Sequence, residues 1–259
     1  MNEQRSNPGY IQSVQRAVAI MRSFTETEPE LSVMELSRQL SLHKSTVSRM
    51  LSTLQHEGLV DQNPETGKYR LGLGLIGLAG VALGRLNARA AAQPYLKQLA
   101  EETEETVNVL VRDSHECVVI ERSNSPQPIR YIGWIGKRSP LHCTASGKVL
   151  LAFMKPEERT AVLPDPLYAY TSNTITSWPR LELSLAQVCR DGYCIVHEEY
   201  EEGFSSLAAP IFNHHGEIVG TIAISGPTYR LEDRTISSFV APLLQTTNKV
   251  STDLGYNQI

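Results

Sequence analysis

No two cysteines in this chain are spaced as CxxC, no stretch approaches the roughly 18 apolar residues that a membrane-spanning helix needs, and cations are not in excess. Each absence excludes something. Cys117, Cys143, Cys189 and Cys194 are scattered, which argues against a disulfide framework and for reduced thiols in a cytoplasm. The longest lipid-like stretch, Leu71 to Leu83, is interrupted by four glycines, so no membrane partner is expected. A net charge of −4 excludes histone-like coating of nucleic acid and adhesion to anionic lipid surfaces. The opening residues MNEQRSNPGY are polar and lack a secretory apolar core.

What is present begins with residues 31–70. Ser32 followed by Glu35 reads as a capping box, and Val33, Leu36 and Leu40 then form one apolar stripe. Ser41 to His43 leave room only for a tight corner between helices. Val47, Met50, Leu51 and Leu54 recur at i, i+3, i+4 and i+7, and Gly58 is placed as a left-handed cap. Turning about 100° per residue puts Ser45, Ser48, Arg49, Ser52 and His56 on the opposite side, with Lys44 at its flank and Thr46 in the same first turn. Short hydroxylated side chains and one Arg suit a helix lying deep in the DNA major groove, where Arg favours the two acceptors of guanine. Leu59-Val60, the turn Asn63 to Gly67 and the return Lys68 to Leu71 predict a hairpin wing, with Lys68 and Arg70 on one face for phosphates. Ahead of it, Ser13 precedes the stripe Val14, Ala17, Val18 and Met21, which runs toward Phe24 as a third wall. Residues 1–80 carry eight Lys/Arg against eight Asp/Glu, so a specific docking surface is expected rather than a basic sponge.

Residues 72–89 follow as a linker helix. Leu75, Leu78, Ala79 and Ala82 have helical spacing, and Gly77, Gly80 and Gly84 thin one side. An apolar helix beside a small DNA-binding module predicts a dimer interface. From about residue 90 short strands and helices alternate. Strands are expected at Val107 to Val111, Cys117 to Glu121, Arg130 to Ile135, Tyr193 to Val196, Leu207 to Phe212 and Ile218 to Ser225. Helices are expected at Ala145 to Met154, from Pro156, at Leu181 to Arg190 and from Arg230 to about Leu254. The fold class is α+β.

Six blocks resemble the IclR (isocitrate lyase regulator) family of transcription factors in order and spacing: SVQRAVAIMRSF, LSVMELSRQLSLHKSTVSRMLSTLQHEGLV, PETGKYRLG, PLHCTASGKVLLA, DGYCIVHEEYEEGFSSLAAPIF and AISGP. The resemblance implies a winged helix-turn-helix domain over 1–71, the linker over 72–89, and a GAF-like effector-binding domain over 90–259. It also implies dimers, in some members paired into tetramers, on palindromic operator DNA, and a regulator, more often a repressor, rather than an enzyme. No cofactor is implied. Carried over by position, the effector pocket draws on Tyr131, Ser139, Ala145, Ser146, Val196, Phe204, Ser206, Ala223 and Ser225. Val196 stands where keto-acid-responsive members have aspartate and Ser206 where they have cysteine, which does not support a keto-acid effector. Ala145-Ser146-Gly147 opens a helix whose free amides suit a carboxylate, and Trp134 joins Tyr131 and Phe204 as an apolar wall. The expected effector is a small carboxylic acid or acyl compound, aromatic ones included.

Two rival readings concern the thiols. Catalysis by Cys143 with His142 or His197 lacks any setting that would depress the thiol pKa, and adjacent residues point apart. Whether His142, Cys143, Cys194 and His197 hold a metal stays open, although residues 194 and 197 face opposite sides of a strand. Small core thiols and hydrogen-bonded histidines are the simpler account. The acids Glu198, Glu199, Glu201 and Glu202 read as a solvated loop lip.

Overall fold

Among the described residues the first helix, α1 (Gln12–Arg22), turns Ile20 into a small apolar core rather than Val14, which is 57% exposed. Its N-cap is Ile11, so Ser13 does not start it as the sequence suggests; the buried stripe is shifted toward Ala17, Ile20, Met21 and Phe24. The computed structural model describes residues 11–25, 27–83 and 87–257. The polar opening residues 1–10 lie outside them. Two units divide the chain, Met1–Arg85 and Leu86–Ile259.

In the first unit, α2 (Val33–Gln39) carries both halves of its capping box: Ser32 N donates to Glu35 Oε2 at 2.7 Å and Glu35 N to Ser32 Oγ at 3.2 Å. The Ser32 backbone bond, helped by the Ser32 hydroxyl and Lys68, holds the Glu35 carboxyl down to about 2. Helix α3 (Lys44–His56) buries Val47, Leu51 and Leu54. Strands β1 (Val60–Gln62) and β2 (Tyr69–Leu71) pair antiparallel, and Leu31 bridges to Tyr69 beside them. Gly58 at φ 69° and Gly67 at φ 66° take the left-handed turns that the sequence assigns to them. Helix α4 (Gly74–Leu83) follows. Of the linker expected over 72–89, residues 84–86, Gly84 among them, lie outside the described residues.

A second clamp holds the start of α4. Gly74 N donates to Gly58 O at 3.0 Å, and a Cβ at Gly72 or Gly74 would fall 2.4 or 2.7 Å from that same oxygen. The chain therefore needs glycine at both positions to run this close to the end of α3.

The second unit runs α5 (Asn87–Thr103), β3 (Thr106–Asp113), β4 (Glu116–Ser123), β5 (Arg138–Pro140), α6 (Ala145–Ala152), α7 (Pro156–Val162) and α8 (Trp178–Asp191). Then come β6 (Cys194–His197), β7 (Phe204–Phe212), β8 (Ile218–Pro227), α9 (Asp233–Ser238) and α10 (Val240–Asp253). The strands form one antiparallel sheet in the order β5-β4-β3-β8-β7-β6. Helices α5 and α10 pack together on one face, and α6, backed by α8, covers the other. Long-range pairing of β3 with β8 closes the sheet from both ends of the domain sequence.

Three expectations need correction. Residues 130–135 form no strand: Gly133 and the left-handed Gly136 (φ 92°) turn the chain, Ile129 and Ile132 stay exposed, and the edge beside β4 is taken by β5. The C-terminal helix is split at Phe239, because Pro242 has no N–H to give and sits in a first turn, where none is needed. Helix α5, Ala-rich and containing Pro94, is a separate element that begins inside the segment expected to be linker.

Candidate functional site

In the first unit the outer side of α3 presents Lys44, Ser48, Arg49, Ser52 and His56 as exposed residues, with Thr46 half-buried. Ser45 is exposed but engaged. His43 caps the helix through Nδ1, which accepts from Ser45 N at 3.3 Å and lies 2.7 Å from Ser45 Oγ. The sequence reading treated His43 only as part of the corner; its place one residue before the helical run was the available signal.

The wing is braced by acids. Glu30 accepts from Asn63 Nδ2 at 2.9 Å and from Thr66 Oγ1 at 3.1 Å, which pins the wing turn and holds the Glu30 carboxyl below its usual range. Lys68 Nζ lies 3.2 Å from Glu35, and Arg70 lies 3.8 Å from Glu30 and 3.6 Å from Asp61. The two wing cations are thus paired rather than free, a departure from the sequence reading. Exposed pairs of this kind contribute about 0–1 kcal/mol, so a phosphate can displace the acids at little cost.

In the second unit, two cross-strand rows lie beneath α6. Val196, Ser206, Ser225 and Thr106 form one, and Cys194, Ala208, Ala223 and Asn108 the next. Small side chains on these rows leave a cavity of about 70 Å³ between sheet and helix. Tyr131, Ser139, Ala145, Ser146, Val196, Phe204, Ser206, Ala223 and Ser225 all line it. Tyr131 and Phe204 meet edge to face at 5.6 Å, and burial pushes the Tyr131 hydroxyl up to about 12. Trp134 is not in the lining. It sits 41% exposed on the turn that replaced the expected strand, where Lys137 Nζ lies 5.3 Å from its ring.

The roof is the start of α6. Thr144 caps it by accepting from Gly147 N at 3.1 Å, and the first-turn amides of Ala145 and Ser146 have no partner within the helix. Gly147 is obligatory, since a Cβ there would fall 2.1 Å from Leu141 O. Ser146 is 3% exposed and its Oγ makes no hydrogen bond.

The sequence reading missed Asn108, Lys137 and Glu199 in the lining. Glu199 is not part of a solvated lip: its side chain is only 12% exposed and Oε1 accepts from Lys148 Nζ, itself buried on α6. A lysine inside a helix with every residue buried was the signal, because such a cation requires a buried partner.

The thiols and histidines do not converge. His142 Nε2 lies 2.8 Å from Tyr168 O, while His197 reaches Ser205 Oγ at 3.0 Å and Asp233 at 3.3 Å. Ser205 is buried, lines the cavity and lies 3.0 Å from Thr228 Oγ1, so its hydroxyl is shared between His197 and Thr228. Burial pushes Cys143 and Cys194 up to about 12. Among the described residues no group of three or more His, Cys, Asp or Glu is arranged to hold a metal, and no helix is long and apolar enough to cross a membrane.

A winged helix-turn-helix unit joined in one chain to a cavity-bearing sheet domain defines a DNA-binding regulator of the ligand-sensing class. The chain belongs to the IclR family of transcriptional regulators: the IclR helix-turn-helix domain matches residues 13–64, and the bacterial transcriptional regulator IclR C-terminal domain matches residues 80–252. It is 36% identical to the HTH-type transcriptional regulator XynR of Escherichia coli over 95% of this chain and 98% of that one. It is 33% identical to the transcriptional repressor IclR of the same organism, over 95% and 91%. The crystal structure of an IclR homologue from Microbacterium hydrocarbonoxydans complexed with 4-hydroxybenzoate matches with a TM-score of 0.81 at 26% identity, covering 94% of this chain and 99% of that one.

Proposed function

We propose that this chain is an operator-specific repressor whose DNA affinity is set by a small organic acid, acyl or aromatic effector held in the second-unit cavity. The observation that carries the reading is the roof: unpartnered amides and the positive end of α6 over a cavity whose Ser146 hydroxyl is unsatisfied. The Microbacterium homologue's 4-hydroxybenzoate is an acid of this class, and a relative named as a repressor supports the sign of the response. The boundaries 1–71, 72–89 and 90–259 are retained as functional divisions. Selection of duplexes from a random pool, repeated with an acid panel, tests the proposal. An enriched operator whose affinity changes with an acid is expected, and an absence of any enriched sequence overturns it.

On α3 and the wing the residue roles are separable. Arg49→Ala is expected to weaken operator binding by about 1–3 kcal/mol and relax preference at one base position. Lys68→Ala is expected to weaken all duplexes alike and flatten the salt dependence. Base preference and salt slope, measured for both variants by titration, decide the matter; identical profiles would reassign these roles.

The chain is proposed to be a homodimer, with a dimer of dimers as the larger state, on a two-fold operator. Leu73, Ile76, Leu78 and Val81, spread around α4 and its start, are 61–81% exposed, an apolar surface that water does not favour. Sedimentation is expected to give a dimer at micromolar concentration. Ile76→Glu together with Val81→Glu should return it to monomer; a wild-type monomer would refute the interface.

A further inference from the structure

We propose that residues 124–137 are a strap closing the second-unit cavity, and that Arg230, locked by Glu105, is the positioning residue that holds the strap shut. Calling the cavity an effector site rests on the reading above; the geometry of the strap does not.

The strap joins β4 to β5 and is a single layer of chain between cavity and water. Tyr131 and Lys137 line the cavity, Gly133 is buried, and Ile132 and Trp134 point outward as exposed residues. A Cβ at Gly133 would lie 3.3 Å from Tyr131 Cε1, so this part of the strap lies flat on the Tyr131 ring. Side chains alternate in and out as they do in a strand. Yet among the described residues no backbone group of 126–133 bonds another backbone group, and a segment without a ladder can open without disturbing the sheet. Ile129 and Ile132, 63% and 66% exposed, bury little; the strap is held by Tyr131 against Phe204 and by its polar ties.

Those ties are few. Near the ends, Ser125 Oγ donates to Glu104 O at 2.6 Å and Val119 N to Lys137 O at 3.0 Å. In the middle, Thr106 Oγ1 donates to Tyr131 O at 3.3 Å and Arg230 Nη2 to Ile129 O at 2.8 Å. The arginine is itself fixed, because Nε donates to Glu105 Oε1 at 2.6 Å and Nη2 to Oε2 at 2.9 Å, with the Glu105 side chain 3% exposed. Glu105 has a prepared seat, since a Cβ at Gly226 would collide with Oε2. A guanidinium holds a carboxylate with a planar fork and still has a proton on Nη2 for the strap carbonyl. A lysine keeps the charge but not the fork.

Alkylation of Cys143 in the full-length protein reads the strap with no effector present. Cys143 lines the cavity and is fully buried, whereas Cys117 is equally buried outside the lining, so the two separate opening of the cavity from opening of the domain. Burial pushes both thiols up to about 12, which keeps them silent until solvent reaches them. Pulses of iodoacetamide followed by peptide mass spectrometry are expected to label Cys143 about tenfold faster in Arg230→Lys than in the wild type, for the loss of one charge-assisted hydrogen bond, with the Cys117 rate unchanged. Thr106→Val removes the other middle tie at nearly constant volume and leaves the Glu105–Arg230 pair intact, so it should accelerate Cys143 selectively even where the lysine variant unfolds. Equal acceleration at both thiols in both variants makes the two residues structural only, and an unchanged Cys143 rate in both means that the strap is not the cover; either result overturns the proposal. No acid takes part, so failure here leaves the acid-effector reading to its own duplex-selection test.

Discussion

Ser146→Phe is expected to abolish the effector response while operator binding persists. The side chain belongs to a 3% exposed residue lining a cavity of about 70 Å³, and a phenyl ring there takes the space that the effector's carboxylate needs. Steric exclusion of this kind removes binding of every acid, so the titration should shift by about a hundredfold or vanish. Operator affinity without effector is expected to remain within about twofold, as for a change sharing no partners with the DNA-binding residues. Linkage supplies a second check: an operator that alters effector affinity in the wild type must alter it by the same factor that effector alters operator affinity, and in the variant both factors fall to unity. A normal effector titration in Ser146→Phe would show that the cavity is not the effector site.

The second large effect concerns folding of the sheet domain. Gly147→Ala adds one methyl group, yet its Cβ would stand 2.1 Å from Leu141 O and 2.5 Å from Leu141 Cα. Backbone atoms cannot swing aside as a flexible side chain can. The start of α6 must lift, which also strains the Thr144 cap and the neighbouring Lys148–Glu199 pair. Destabilisation of about 3 kcal/mol or more is expected, in the range reserved for backbone collisions and disrupted buried pairs. Denaturant unfolding measures it, and a loss below about 1 kcal/mol would mean that α6 has slack where the structure shows none. Ala145 and Val149 provide a contrast, since their side chains already occupy the apolar cluster.

The first unit was legible nearly residue by residue, because its signals are local. A capping box spans four residues, a left-handed glycine closes the helix before it, and a 3.6-residue apolar period repeats through α3. What escaped there was partnership between elements: the acids that brace Lys68 and Arg70 come from β1, α2 and the segment before it. Only Asp61 belongs to the wing's own sequence, directly across from Arg70; Glu30 and Glu35 lie outside it.

Legibility fell in the second unit for the same physical reason. The alternation in Arg130 to Ile135 looks like a strand, but strand formation depends on a partner edge, and that edge had gone to Arg138–Pro140. Nine of the ten pocket residues that the sequence suggested line one cavity, nine of them placed by family position rather than by pattern. Trp134 alone was added on chemistry, and its surroundings are the misread strand. Four acids close together usually form a surface, and only the buried Lys148, fifty-one residues before Glu199, reveals which one turns inward.

The close passage of Gly72 and Gly74 over the end of α3 has a mechanical meaning. With backbone against backbone there is no side chain to act as a spring, and α4 starts where α3 ends, with Gly58 at the junction. Ten residues of α4 run about 15 Å from there. On the reading proposed above, the direction of α4 and the pitch of α3, which carries Ser48, Arg49 and Ser52, are therefore set at one shared junction inside the first unit.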